Sequence, residues 1–309
     1  MDRARRLRAG DRVAIVAPAG PAPSDLLVRG AEVLRSWGLR VDPVPDRTDP
    51  RLPYLAGTDT ERAEEFTRAW CDPEIRAVFC ARGGYGTTRM LAHLDRDRIT
   101  TAEPTILIGS SDITALHQAL LDWTGIPSLF GPMPASSAFL DEPDNAERLH
   151  RMLFEPDAAT RDLAGPAATG LVPGTAEGVL VGGNLSLLAA TSGDPMTPLP
   201  PPGAIGLLED VGEAAYRLDR SLTQLRATGW LSRLSGIALG SWQDCGPDPD
   251  AVAATLLDRV GDLGIPVASE VGFGHGPEQR TVPLGVRALL SSEPGSGRAA
   301  LTPTEAFLV

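Results

Sequence analysis

Thr105-Ile106-Leu107-Ile108-Gly109-Ser110-Ser111-Asp112-Ile113-Thr114 is a short apolar run that breaks into a turn of small residues and then enters a stretch with helical spacing, 112–123. An uninterrupted apolar run of this length reads as a strand covered on both faces, here 105–108, and the amphipathic stretch after it as the helix of a βα unit. The same rhythm recurs on either side. Residues 13–17, 41–44, 77–80 and 128–130 read as further strands, and 24–37, 60–71 and 87–94 as helices, with Ser24 and Thr60 placed as N-caps. Strands alternating with helices predict an α/β fold with a doubly wound parallel-sheet layer.

A helix at 144–153 closes this first part. The segment after it, 155–174, is rich in Ala, Pro, Asp and Gly without an apolar period, which places a linker at 161–174 between an N-terminal domain, 1–160, and a C-terminal domain, 175–309. In the second part, strands are expected at 176–181, 205–208, 237–241 and 266–269, with helices at 185–190, 215–228 and 249–261 and short strand-like runs at 281–283 and 288–290. This is a smaller α/β domain whose sheet order the pattern does not specify. A chain of 309 residues exceeds one ordinary core, so two packed domains with a cleft between them are the expectation.

The 28 basic and 40 acidic residues give a net charge of -12, which repels phosphate backbones and anionic lipid surfaces; neither nucleic acid nor membrane is an expected partner. Cys71, Cys80 and Cys245 form no CxxC pair, so neither a disulfide framework nor a zinc ribbon is implied and a reducing cytoplasm fits. The basic start and the apolar run at 13–17 imitate a signal peptide. That run is five residues long and follows Asp11, too short for a secretory core of roughly 7 to 15 residues, and reads as the first strand.

Ligands of open α/β sheets gather at the carboxyl ends of strands, so the residues after each strand carry the candidate chemistry. Ser110 and Ser111 occupy the turn at the start of a helix, where a hydroxyl can act as nucleophile or simply cap the helix. The turn departs from Gly-x-Ser-x-Gly, because Ile113 stands at the second glycine position. Of the four histidines, His93, His117 and His150 fall within expected helices, whereas His275 sits in the loop Gly272-Phe273-Gly274-His275-Gly276-Pro277-Glu278, free to face a cleft as a base. Glu209, Asp210 and Glu213, which follow the strand 205–208, could each orient such a base. Arg82-Gly83-Gly84-Tyr85-Gly86 is a glycine turn that could bare backbone amides for an oxyanion or a phosphate. It lacks the Gly-Lys-Ser/Thr ending of a P-loop and lies after the third strand, away from the usual dinucleotide position. No metal-binding spacing occurs, and no cofactor is expected.

Seven stretches taken in order resemble the LD-carboxypeptidases of serine peptidase family S66, which include murein tetrapeptide carboxypeptidases and microcin C immunity hydrolases. They are Gly10 to Pro18, Arg82 to Gly86, Gly109 to Thr114, Gly182-Gly183-Asn184-Leu185, Leu208-Glu209-Asp210-Val211-Gly212-Glu213, Tyr216 to Arg220, and Gly274 to Gly285. The resemblance implies Ser111 as nucleophile, His275 as general base and Glu209 as the orienting acid, with Glu213 one helical turn away as the alternative. It implies backbone N–H groups of Gly84 and Asp112 as oxyanion donors. A tyrosine often precedes the family's nucleophile, and here the residue is Ser110.

It further implies an active site at the interface of the two domains and a homodimer. The implied substrate is a small peptide such as a murein tetrapeptide, cut to release a C-terminal D-amino acid, with Arg82 and Arg280 as candidates to grip its carboxylates. Two rival expectations stand beside it. One is an immunity hydrolase cleaving an aminoacyl-nucleotide amide, with Trp242 as a platform for the base. The other is a non-catalytic binding protein on the same two-domain scaffold.

Overall fold

The computed structural model describes residues 3–43, 47–159 and 161–309. Its first sheet is built from β1 (Arg12–Val16), β2 (Arg40–Val41), β3 (Ile75–Cys80), β4 (Ile106–Gly109) and β5 (Ser128–Phe130). These five are parallel and ordered β5-β4-β3-β1-β2. Alternate side chains explain the two-sided burial. Ala77, Phe79, Ile106 and Ile108 pack with Leu27, Ala31 and Leu34 of the helix Ser24–Ser36, while Val78, Cys80 and Leu107 pack on the other face with Phe66, Trp70, Leu116 and Leu120. A strand buried on both sides reads as a continuous apolar run, which is why these strands stand out in the sequence.

The second sheet takes β6 (Thr169–Val172), β7 (Gly174–Asn184), β8 (Ala204–Val211), β9 (Leu234–Gln243) and β10 (Val267–Ser269). The chain then places β11 (Val282–Leu284) antiparallel to β5 on the edge of the first sheet, and returns with β12 (Arg287–Glu293) and β13 (Arg298–Pro303). The order of the second sheet is β13-β12-β7-β8-β9-β10-β6, with β7 to β10 parallel in its centre. One apolar core runs through both units: Phe130 and Val282 of the first sheet share a buried cluster with Leu180 and Leu207 of the second and with Phe273 of the loop after β10. The two sheets therefore meet across packed side chains, which holds loops from both at a common seam.

Several local expectations change. The helix Asp59–Cys71 is capped by Thr58, in a capping box with Glu61; Thr60 is already helical, and the Thr-x-x-Glu spacing is the signal that identifies the true cap. Ser24 is the first residue of its helix, which follows Pro23 and has no side-chain cap. The strand expected at 41–44 ends at Val41, and Val44 lies outside the described residues. Within 161–174, expected as a linker, β6 forms the outer strand of the second sheet, antiparallel to β10. No helix among the described residues is long and apolar enough to cross a membrane.

Candidate active site

β4 delivers Ser110 in an extended conformation, after which Ser111 adopts φ 62° and the chain closes into a 3-10 turn, Ser111–Ile113, leading to the helix Thr114–Thr124. A left-handed backbone at a non-glycine residue costs roughly 1 to 2 kcal/mol, and such strain concentrates at functional turns. Neither serine caps the helix: no side-chain capping bond is made at Ser110 or at the helix that follows. The turn is tight because a Cβ on Gly109 would meet Ile113 Cγ2 at 2.8 Å, and one on Gly83 would meet Ser111 Cβ at 2.7 Å and Oγ at 2.9 Å. The glycine loop and the serine turn are thus pressed against each other.

That loop is held from below by Arg62, which has no exposed surface. Its guanidinium donates to the carbonyls of Pro18, Gly86 (2.8 Å) and Gly57 (3.2 Å) and pairs with Asp59. Asp112 ties the loop to the serine turn, accepting from Thr87 N at 2.8 Å and Thr87 Oγ1 at 2.7 Å. Burial pushes the Asp112 carboxyl up, against the pull of the Thr87 and Gly86 hydrogen bonds and of Arg62. Gly84, with φ 116°, and Asp112 keep backbone N–H groups that donate to nothing among the described residues, and Gly83, next to Gly84, is the glycine pressed against the Ser111 side chain.

On the other side of the seam, Glu209 of β8 is fully buried and lies 2.6 Å from His275 Nδ1 through Oε2. Its Oε1 accepts from Asn184 Nδ2 at 3.3 Å. Asp210 is used differently, accepting from Asn184 Nδ2, Ser186 N, Ser186 Oγ and Val211 N. Glu213 pairs with Arg217 at 3.4 Å. Of the three acids that spacing left open, the structure brings Glu209 to the imidazole. Burial raises the Glu209 carboxyl, opposed by its bonds from His275 and Asn184. For His275, burial favours the neutral ring, but the hydrogen bond and charge of Glu209, with Asp210 behind it, raise its pKa overall. A carboxylate accepts Nδ1–H, which leaves Nε2 with a lone pair to take a proton.

Four polar residues to which the sequence reading gave no role position this pair. Ser241 Oγ accepts from His275 N at 2.7 Å and Gly276 N at 2.9 Å. Gly274, at φ 118°, leaves no room for a Cβ, which would lie 2.8 Å from Glu209 Oε2. Asn145, on the helix Pro143–Phe154 of the first unit, accepts from Gln279 N at 2.9 Å and donates to Pro277 O at 3.0 Å, and Gln279 donates to Gly274 O. Asn184 closes the circuit between units: its backbone N–H donates to Thr114 Oγ1 at 3.0 Å, three residues beyond Ser111, while its side chain reaches Glu209.

Ser111 Oγ makes no hydrogen bond to His275 among the described residues. Arg82 is exposed and reaches Pro21 O at 3.4 Å. Arg280 is held by Leu163 O and Glu278, with no contact to Ser111, Glu209 or His275. Trp242 lies within β9, registered against Asp210. Among the described residues, no group of three His, Cys, Asp or Glu side chains could hold a metal ion.

The family model for the LD-carboxypeptidase N-terminal domain matches residues 13–131, and the model for the LD-carboxypeptidase C-terminal domain matches residues 177–290. A putative carboxypeptidase of Streptomyces coelicolor is 47% identical over 302 residues, covering 95% of this chain and 94% of the relative. The murein tetrapeptide carboxypeptidase of Pseudomonas aeruginosa is 36% identical, covering 90% and 92%. The solved structure of the MccF protein in complex with glutamyl sulfamoyl guanosine superposes with a TM-score of 0.87 at 24% identity, covering 99% of each chain, which is a likeness of fold. With both domain models matched in order and relatives aligned almost end to end, the chain belongs to the LD-carboxypeptidase family, peptidase family S66, and is a serine-type carboxypeptidase of that hydrolase class.

Proposed function

We propose that the protein is a cytoplasmic, homodimeric LD-carboxypeptidase that removes a C-terminal D-amino acid from a small murein peptide, using Ser111 as nucleophile, His275 as base and Glu209 as orienting acid. The observation that carries this reading is the 2.6 Å contact between buried Glu209 and His275, on an element bonded through Asn184 to the helix that begins just after a strained Ser111. In this mechanism His275 Nε2 takes the hydroxyl proton as Oγ attacks the scissile carbonyl. The oxyanion accepts from the N–H groups of Gly84 and Asp112, each such donor contributing about 2.7 to 4 kcal/mol to the transition state. His275 then protonates the leaving amine, and water, activated by the same ring, hydrolyses the acyl-enzyme.

A murein substrate is favoured over an aminoacyl-nucleotide by the relatives. A murein tetrapeptide carboxypeptidase aligns at 36% identity, whereas the Microcin C7 self-immunity protein MccF of Escherichia coli aligns at 26%. The test is incubation of purified protein with murein tetrapeptide, followed by mass spectrometry. Release of terminal D-alanine by wild type and its loss in Ser111→Ala support the proposal. Turnover of an aminoacyl sulfamoyl nucleotide with an intact tetrapeptide would contradict it.

A further inference from the structure

A recess of about 510 Å³ lies outside the catalytic cleft, between the helix Thr114–Thr124, β7, β11 and the proline-rich segment 198–201. Its walls are apolar, formed by Leu121, Val181, Leu199, Trp230 and Leu284, and none of Ser111, Glu209 and His275 lines it. Sites that enclose small molecules usually measure about 300 to 1,000 Å³ and are mostly apolar with a few polar groups. Trp230 and Leu284 are only 3% and 2% exposed, a depth suited to a small molecule rather than to the flat face of another protein.

The charges in the wall narrow the ligand class. Among the described residues lining it, His117 and Asp122 are ionisable. His117 is neutral near pH 7, its pKa pushed down to about 4 by burial, with Nδ1 bonded to Ser128 Oγ and Nε2 to the Gly109 carbonyl. Asp122 is 42% exposed at the rim, 3.9 Å from Arg96. The one acid at the rim stands beside an arginine, so the rim offers no unpaired charge to an ionic ligand, and an apolar floor disfavours any charge.

We propose that this recess binds a neutral, largely apolar small molecule and that its occupancy is transmitted to the nucleophile turn. Three chain segments form the connection. His117 Nε2 donates to Gly109 O at 3.0 Å, two residues before Ser111. Gly182 of the wall leads through Gly183 to Asn184, which touches Glu209. Leu284 and Gly285 follow the loop that carries His275. Filling the recess fixes all three segments together, and removing the filler releases them together.

The neutral fluorophore N-phenyl-1-naphthylamine serves as probe, titrated against the full chain without substrate, so the binding result does not depend on the hydrolytic reading, whereas the coupling rests on Ser111 being the proposed nucleophile. Wild type should give saturable one-site enhancement. Val179→Trp, which fills the recess from a half-buried position on β7, and Leu199→Asp, which puts a charge in its wall, should each weaken binding about tenfold or more. Both variants should retain cooperative thermal unfolding. At saturating probe, the rate at which a fluorophosphonate labels Ser111 should change at least about twofold, as coupled sites require. Absence of saturable enhancement, or wild-type affinity in both variants, overturns the site. An unchanged labelling rate at full occupancy overturns the coupling. Loss of self-association in Val179→Trp without probe binding to wild type assigns the recess to a second copy of the chain and also overturns the proposal.

Discussion

His275 Nδ1 lies 2.6 Å from Glu209 Oε2, although 66 residues separate the two and the carboxylate has no exposed surface. A buried carboxylate is unfavourable unless hydrogen bonds satisfy it, and here His275 and Asn184 supply them. The imidazole is consequently fixed in orientation, with Nδ1 engaged and Nε2 free for proton transfer.

On the proposed mechanism, this pairing sets the acid limb of the pH–rate profile. Glu209 and Asp210 raise the His275 pKa against the effect of burial, and the base works only when neutral. kcat/KM should therefore climb with pH to a plateau, with its midpoint above the ordinary imidazole value. In Glu209→Gln the raising charge is gone, so the midpoint should move to lower pH while the plateau falls by about 10⁴-fold, as when comparable triads lose their acid. D-alanine release measured between pH 5 and pH 9, about the range in which such a base titrates, checks both effects. A midpoint that stays or rises in Glu209→Gln contradicts the assignment.

Gly83→Ala should inactivate without unfolding. The added methyl would sit 2.7 Å from Ser111 Cβ and 2.9 Å from its Oγ, and 3.4 Å from Asp112 N, displacing the proposed nucleophile relative to its proposed oxyanion donors. We expect a kcat loss of about 10²-fold or more, the scale of a 1 Å misplacement, with a lowered Tm from about 1 to 3 kcal/mol of overpacking but cooperative unfolding retained. Full activity would mean that the glycine loop does not frame the reaction.

Much of the architecture is legible in the sequence, for a physical reason. Central strands of a parallel sheet are covered on both faces, so β3 and β4 appear as unbroken apolar runs. β6 and β13 escape notice because only one residue of each, Gly170 and Leu301, is buried, so neither an apolar run nor a regular alternation shows in the sequence. The run at Val282 is visible, but its pairing with Phe130 in the other sheet is a long-range choice that no local pattern encodes. The site follows the same division. Glycine neighbours single out His275, whereas Arg62, Asn145, Asn184 and Ser241 look like ordinary surface residues until the fold buries or part-buries them against backbone groups. Glu209 and Glu213 are indistinguishable by spacing; β8 carries Glu209 into the seam and leaves Glu213 beyond the strand end, paired with Arg217.

Ser241→Ala removes the acceptor shared by the N–H groups of His275 and Gly276. A buried donor left unbonded costs about 1 to 3 kcal/mol. Tm should fall, and kcat should fall further than stability alone explains, because the loop that presents the imidazole loses its anchor. Calorimetry and D-alanine release on the same preparation separate the two contributions; unchanged values in both would contradict the anchoring role.

Arg62→Met should be the most destabilising of these substitutions. It leaves the carbonyls of Pro18, Gly57 and Gly86 without their shared donor, while Asp59 keeps its pair with Arg89; each buried polar group left unbonded costs about 1 to 3 kcal/mol, so the three together should cost about 3 kcal/mol or more. Urea unfolding checks this directly. A loss below about 1 kcal/mol, the scale of an exposed pair, would show that the clamp is dispensable.

The most direct test of the central claim is peptide mapping after reaction of the purified protein with a fluorophosphonate. The account predicts a single adduct on Ser111, formed far more slowly in His275→Ala and not at all in Ser111→Ala. An adduct on another residue, or labelling of His275→Ala at the wild-type rate, would contradict it.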